Sequence, residues 1–332
     1  MGKFLLRKEI GKVFKQSSML QNIYNEMLKK INYNKFISLV EDRLECDLFD
    51  FETLIKPLPF CPLEKIKDSN YYGYVRAIKS YMADYDARIN IEHGLYLNDS
   101  VSYFADYKTF DSICTFSDYR LHILQNHNIR KRMLAIGPYI HYAESILTQD
   151  KMQFLKKEMG RVLLYMPSHS TNLHNGTSPF FKKEVDMVVE LKEKYGYDTL
   201  IVCVYYRDFQ YKECIEYYKN KGFKITTAGH QLDLNFARRL KSIIMLSDLT
   251  VSNRVGTNLG FCIYLQKPHL VINDYEGKYD LSKQGGRVSK EISEAFLVYS
   301  ETISKTQYNI INKYWGLDKI KSREELKSFF KH

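Results

Sequence analysis

The 332-residue sequence lacks the short motifs that identify several common enzyme classes. It contains no P-loop, no G-x-G-x-x-G fingerprint, no G-x-S-x-G turn and no H-E-x-x-H helix. NTP hydrolysis, hydride transfer, ester hydrolysis and zinc proteolysis therefore have no motif to support them.

Paired cysteines and long apolar runs are also missing. The six cysteines are scattered, with no C-x-x-C pair and no histidine at zinc-ligand spacing, which favours a reducing compartment. Residues 1–20 mix apolar residues with Lys and Arg, so they resemble neither a secretory signal nor a membrane span. We therefore expect a cytoplasmic protein.

What the chain does contain is the composition of a globular protein with an excess of positive charge. Hydrophobic residues make up 45% and charged residues 27%, and the length suits two domains. The formal net charge of +10 predicts attraction to an anionic partner. Nucleic acid, an anionic membrane surface and phosphorylated substrates fit this charge equally well.

Residues 10–31 have apolar side chains at the three-and-four spacing of an amphipathic helix, with lysines on the other face. One interpretation is a solvated helix face above a core. The other is a face that rests on anionic lipid, which would make the protein peripheral on the inner face of the cell membrane.

From about residue 88, short apolar runs alternate with helical patterns, which predicts an α/β fold with parallel, doubly wound sheets. A polar, Lys-rich stretch at 147–160 is interpreted as a linker. The predicted domains are 1–150, an α/β domain that includes the basic helix, and 160–302, a second α/β domain. Residues 303–332 are predicted to form C-terminal helices.

Polar clusters follow several predicted strands, the position where parallel α/β sheets bind ligands. Ser252 and Asn253 end a strand, and Gly256-Thr257 opens a helix whose first amides could approach an anion. The same residue types equally suit an ordinary strand-to-helix turn. Six further residues in donor-rich turns are predicted to bind the nucleotide or its phosphate: Ser168, His169, Ser170, Thr171, Gly229 and His230.

A catalytic base is predicted in the segment Glu92-His93-Gly94. Histidine is a common base for removing the proton of an attacking hydroxyl group. Glu92 could orient His93, although adjacent strand residues point to opposite faces, and Asp99 is a competing base. The spacing of Asp84 and Asp86 is that of a metal-binding D-x-D motif, but these residues lie in an unassigned region. We therefore predict no metal and no cofactor, with a leaving group stabilised by dipoles and hydrogen-bond donors.

Four motifs in this order resemble the GT-B superfamily of glycosyltransferases, particularly bacterial capsule and surface-polysaccharide enzymes. They are E-H-G-L (92–95), I-G-P-Y-I (136–140), P-S-H-S (167–170) and S-N-x-x-G-T (252–257). The resemblance covers about residues 91–330. It implies two Rossmann-like domains that face a cleft, with the acceptor on residues 1–150 and the nucleotide donor on residues 160–302. It also implies that the helices of 303–332 pack back on the N-terminal domain.

The resemblance also implies roles for matched residues. His93 takes the position of the acceptor-side base. The donor-phosphate positions are Ser168, His169, Ser170, Ser252, Gly256 and Thr257. Glutamates at the E-x-x-x-x-x-x-E spacing of retaining members occur at 45/52 and 294/301, but neither pair falls in one of the four matched motifs, so the resemblance favours inversion.

The predicted activity is metal-independent, inverting transfer of a sugar from a nucleotide-activated donor to a glycan or lipid-linked acceptor in surface-polysaccharide biosynthesis. Alternatives on the same fold are a polyol-phosphate transferase and a nucleotide-sugar epimerase, which would act on the donor alone. A nucleic-acid-binding protein is a further alternative, but the 27 Tyr and 19 Phe are spread along the chain without a recognisable binding module.

Overall fold

The computed structural model describes residues 18–64, 67–92, 94–101, 111–169, 182–272, 282 and 284–331. It confirms a mixed α/β protein with parallel sheets. Among the described helices, none has the length and apolar character needed to cross a bilayer.

The N-terminal half combines helices with a small parallel sheet. The strands β1 and β2 pair in register from Ser112↔Arg132 to Thr115↔Ala135, and Ile91 forms a single parallel bridge to Cys114 on β1. This half contains α1 (Ser18–Glu41), α2 (Phe51–Leu54), α3 (Tyr74–Tyr81), β1 (Ser112–Thr115), α4 (Asp118–Asn126) and β2 (Arg132–Ala135).

Residues 149–159, interpreted above as part of a linker, form the helix α5 (Gln149–Met159). Thr148 caps its first turn by accepting a hydrogen bond from the Lys151 amide, and Met152, Leu155 and Met159 are buried. The polar residues that suggested a linker are therefore the solvent-facing side of an amphipathic helix.

The C-terminal half is built on a five-stranded parallel sheet with the order β5-β4-β3-β6-β7. The apolar run of β3 is buried along its whole length, as expected for a central strand covered on both faces. This half contains β3 (Val162–Met166), α6 (Lys182–Tyr195), β4 (Thr199–Cys203), α7 (Lys212–Asn220), β5 (Lys224–Thr226), α8 (Phe236–Leu246), β6 (Leu249–Ser252), α9 (Thr257–Tyr264) and β7 (His269–Val271).

The strand order changes direction between β3 and β6, which places the loops after these two strands side by side. Met166 and Ser252, their last residues, are register partners. In open parallel sheets this switch point is where a crevice opens beyond the carboxyl ends of the strands.

The last helices connect the two halves. They are α10 (Gln284–Ala295), α11 (Lys305–Trp315) and α12 (Arg323–Phe330). The helices α11 and α12 both begin with a capping box, at Ser304 and Ser322. The C-terminal helix α12 lies against β2, where Arg132 donates to the Phe329 carbonyl at 2.7 Å.

The largest of the hydrophobic clusters among the described residues extends across both halves, and a second covers the other face of the C-terminal sheet. The aromatic centre of the largest cluster contains Phe116 stacked on Tyr139 at 4.1 Å, with Tyr74 packed edge-on against Tyr139 at 5.5 Å and against Phe261 at 6.0 Å. Both halves contribute residues to this cluster. The two halves therefore form one continuous scaffold for the crevice.

Candidate ligand-binding cleft

A cavity of about 770 Å³ lies beyond the carboxyl ends of β3 and β6. Residues between 94 and 98 line one side, and residues 166–169, 252 and 254–259 line the other. The first turns of α10 complete the wall. The size and the position at the switch point are those of a small-molecule site.

The N-terminus of α9 opens onto this cavity. Gly256, the residue before the helix, is exposed and extended, and no atom lies within 4 Å of the position that a Cβ would take. The first amides of a helix have no carbonyl partner within the helix, and they carry a positive partial charge. An anion can therefore approach this end of α9 closely.

The Thr257 hydroxyl joins the two sides of the cleft. Its oxygen accepts a hydrogen bond from the Leu95 amide at 3.2 Å, across 162 residues of sequence. This bond uses the oxygen as an acceptor, so the hydroxyl hydrogen can still be donated. The backbone carbonyl of Thr257 accepts from the Trp315 indole at 3.1 Å, which fixes the start of the helix.

The start of α10 faces the same cavity through Gly285, Gly286 and Ser289. A Cβ on Gly285 would lie 2.9 Å from the Cβ of Asn98, so only glycine permits this approach of α10 to the N-terminal half. The sequence-based prediction missed α10. The signal that was present is the Gly-Gly pair inside a helical pattern, which is unfavourable unless close contact requires it.

The loop after β6 is fixed by a buried histidine that the sequence did not single out. His269 lies 2.7 Å from the Thr250 hydroxyl through Nδ1 and 2.9 Å from the Ser252 hydroxyl through Nε2. Burial lowers the pKa of His269 to about 3, so the ring is neutral near pH 7. The Ser252 hydroxyl also donates to the Arg254 carbonyl at 2.9 Å. Ser252 lines the cleft, but its hydroxyl stabilises the loop.

Asn253 also has an internal role. It is 1% exposed; its side-chain oxygen accepts from the Ser168 amide at 2.7 Å, and its nitrogen donates to Glu184 at 2.7 Å. Asn253 therefore connects the loop after β6 to the loop after β3 and positions Ser168. The Ser168 hydroxyl, in contrast, has no hydrogen-bond partner within the described residues, and Ser168 lines the cavity.

Aromatic side chains form another part of the cavity wall. The His169 ring lies 4.6 Å from the ring of Tyr205, and the Tyr205 hydroxyl lies 3.4 Å from that of Tyr72. Phe236 packs on Tyr72 at 4.7 Å. Tyr72 has φ 61, a conformation that bulky residues rarely adopt, and its amide donates to the Gln231 carbonyl at 2.7 Å. Strained residues of this kind cluster at ligand sites.

The predicted Glu92 lies away from the cleft. Its carboxylate is 1% exposed and pairs with Arg120 at 2.8 Å, while the Thr115 hydroxyl donates to it at 2.5 Å. Burial raises the pKa of Glu92, and the hydrogen bonds from Arg120 and Thr115 oppose that rise. These contacts give Glu92 a role in holding β1 and α4 together.

The other predicted residues divide into those placed elsewhere and those that are not described. Asp99 is exposed and lines a separate cavity. His230 is buried, accepts from the Leu232 amide at 3.2 Å, and has its pKa lowered to about 4, first by burial and then by Arg43. Gly229 has φ +99 and packs against Arg239. The predicted His93, Ser170 and Thr171 lie outside the described residues.

Within the described residues, no group of three or more His, Cys, Asp or Glu side chains is arranged to hold a metal ion. The D-x-D residue Asp84 is exposed and pairs with Arg76 at 3.1 Å, away from the residues that line the cleft.

The chain matches no protein-family model and no curated protein. Among solved structures it is similar to a co-structure of S. aureus MnaA with UDP, at a TM-score of 0.38 and 12% identity over 76% of this chain and 75% of that chain. It is also similar to the wall teichoic acid polymerase TagF, at a TM-score of 0.38 and 13% identity over 73% of this chain and 62% of that chain. A third similar structure is Os79 from O. sativa in complex with UDP, with a TM-score of 0.33 and 14% identity over 69% of this chain and 48% of that chain. Such low TM-scores and identities do not establish a family for the chain.

Proposed function

We propose that the cleft binds a nucleotide-activated sugar and that the protein transfers the sugar to a glycan or lipid-linked acceptor. The observation that carries this proposal is the combination, in one cavity, of two helix N-termini with a cluster of aromatic rings. Helix N-termini suit phosphate groups, and aromatic rings suit a flat base. A nucleotide has both parts.

The proposed chemistry uses the N-termini of α9 and α10 to stabilise the departing phosphate. An acceptor hydroxyl attacks the anomeric carbon, the bond from that carbon to the phosphate oxygen breaks, and the hydroxyl proton passes to a base. Amides and hydroxyls aimed at the developing negative charge lower the barrier without a metal. We propose His93 as the base, because the next residue, Gly94, lines the cleft.

A single displacement of this kind inverts the anomeric centre, so the configuration of the product tests the proposed stereochemistry. We place the activity in surface-polysaccharide biosynthesis. An epimerase on the same fold would turn over the donor without any acceptor, and a polyol-phosphate transferase would leave phosphate in the product.

The nucleotide site is tested by the Ser168→Ala variant. In the wild type we expect at least one of CMP, CDP, UDP and GDP to raise the melting temperature, since a ligand of the native state stabilises it. Ser168→Ala should weaken that binding about tenfold, because a hydrogen bond to a charged group is lost. Its melting temperature without nucleotide should not fall, since the hydroxyl has no partner within the described protein.

Ser38→Ala, on an exposed position of α1, is the matched control and should bind nucleotide as the wild type does. The proposal fails if none of the four nucleotides stabilises the wild type, or if Ser168→Ala and Ser38→Ala have equal affinities.

We also propose that α1 rests on an anionic membrane surface, near a lipid-linked acceptor. Met19, Ile23, Met27 and Ile31 recur every fourth residue along α1 and are 72%, 48%, 56% and 71% exposed. Side chains four apart lie on one helix face, and Lys30 is exposed among them.

Ile23→Glu/Met27→Glu should reduce co-sedimentation with phosphatidylglycerol-containing vesicles about threefold or more, because carboxylates replace the apolar face. Asn22→Glu/Asn34→Glu adds the same charge at exposed polar positions and should have the smaller effect. Equal losses in the two variants would show that only net charge matters, which would contradict a role for the apolar row.

A further inference from the structure

A second cavity, of about 1000 Å³, lies between α4 and α11 and is closed by residues 318–319. This second cavity adjoins the cleft, because Asp99 lines the second cavity and the preceding residue, Asn98, lines the cleft. We refer to it as the α4–α11 cavity. The proposed donor chemistry does not use it.

The strongest sign of a ligand in the α4–α11 cavity is the hydroxyl of Ser117. Ser117 lines the cavity and is 1% exposed, and its hydroxyl has no hydrogen-bond partner within the described residues. It occupies the residue before α4, where serine usually caps the helix, yet its side chain makes no capping bond. A buried hydroxyl without a partner is rare and unfavourable, so a ligand that bonds to it would gain affinity.

The charges around the α4–α11 cavity indicate which ligand chemistry fits. Lys319 pairs with Asp118 at 2.6 Å, so the best-placed cation is already neutralised, and Asp99 adds a further carboxylate. A phosphate would be repelled by these acids, and an apolar ligand would bury the polar lining without hydrogen bonds. Two further charged residues line the cavity: Lys313, which lies 3.8 Å from Glu291, and Asp318, which lies 3.5 Å from Lys319. The lining also includes amides and imidazoles, among them His122, Asn126 and Asn312.

Amides, imidazoles, carboxylates and a hydroxyl together offer both donors and acceptors. This mixture suits a neutral ligand with many hydroxyl groups. We infer that the α4–α11 cavity binds a neutral sugar unit of the acceptor glycan, next to the sugar that reacts in the cleft. The assignment to the acceptor rests on the proposed glycosyltransferase function, whereas the binding of a neutral sugar does not.

The inference is tested first by binding. The probes are glucose, galactose, mannose, N-acetylglucosamine and N-acetylgalactosamine at millimolar concentration, followed by saturation-transfer NMR on the full chain. We expect at least one of them to bind the wild type and Ser117→Ala to bind it about tenfold more weakly. Ser117→Ala should have an unchanged or raised melting temperature, because it removes an unsatisfied buried group.

His122→Ala/Asn126→Ala, which alters two residues one turn apart on α4, should also lose sugar binding. Gln125→Ala is the control, since it is exposed on the same helix and does not line the cavity. If none of the five sugars binds, if Ser117→Ala binds as tightly as the wild type, or if inorganic phosphate competes for the site, the inference is overturned.

Nucleotide titration of the same samples separates this inference from the proposed function. Ser117→Ala should keep the nucleotide affinity of the wild type. Sugar binding without nucleotide binding would support the sugar site while removing the proposed function. Nucleotide binding without sugar binding would support the proposed function and overturn the sugar site.

Discussion

Replacing Gly260 with alanine is expected to destabilise the protein by about 3 kcal/mol or more. A Cβ at this position of α9 would lie 2.0 Å from Cδ1 and 2.2 Å from Nε1 of Trp315, which is fully buried. Alanine would otherwise favour the helix by about 1 kcal/mol over glycine. The clash outweighs this gain and makes the net change destabilising, because the indole has no space to move within a packed core.

The expected loss has a second part. When the indole moves, its hydrogen bond to the Thr257 carbonyl at 3.1 Å is lost, together with the fixed position of the first turn of α9. Denaturant unfolding measures the change in free energy. Gly256→Ala, where a Cβ meets no atom within 4 Å, should change stability by about 1 kcal/mol or less.

A double variant gives a further check. Trp315→Phe alone leaves a cavity, but in the Gly260→Ala background the smaller ring makes room for the new methyl group. The two losses should therefore sum to more than the loss in the double variant. Full additivity, or wild-type stability of Gly260→Ala, would show that the contact between Gly260 and Trp315 is not close.

The parallel strands could be predicted from the sequence because local pattern alone determines them. The apolar run of β3, for example, is long enough for a strand and is followed by polar turn residues, which fixes both its type and its end. The same reasoning placed Ser168 and Thr257 after two predicted strands, which the structure pairs as β3 and β6, and both residues line the cleft.

The partners of individual side chains could not be predicted, because distant parts of the chain supply them. Asn253 has the residue type expected for a ligand contact, but the β3–β6 register places its oxygen against the Ser168 amide. Glu92 follows a buried segment as a catalytic residue would, but its carboxylate forms an ion pair with Arg120 on α4. Polar residue types were informative about the position of the site and not about the role of each residue.

The strain at Tyr72 shows a second limit. Nothing in the local sequence requires φ 61 at this tyrosine. The conformation follows from the hydrogen bond to Gln231 and the packing on Phe236, which come from the other half of the chain. Tertiary contacts here override the local preference of the backbone.

Arg120→Met is expected to destabilise the protein by about 3–5 kcal/mol, because it leaves the Glu92 carboxylate buried without its cation. Arg120 is 3% and Glu92 1% exposed, and they lie 2.8 Å apart. Chemical denaturation measures the loss. In Arg120→Met/Glu92→Gln the unpaired charge is also removed, so the double variant should be more stable than Arg120→Met. A loss below about 1 kcal/mol would be typical of a solvated pair and would contradict the burial of this one.

Arg120 also links this ion pair to the cleft. Its two terminal nitrogens donate to the carbonyls of Asn98 at 3.0 Å and Ser100 at 2.9 Å. Arg120→Lys keeps the charge beside Glu92 but cannot form this fork of bonds. We therefore expect Arg120→Lys to lose less stability than Arg120→Met and yet to bind nucleotide more weakly, since Asn98 lines the cleft against Gly285. If Arg120→Lys bound nucleotide as the wild type does, the segment at 98–100 would not need the guanidinium to shape the cleft, and the ion pair would serve the fold alone.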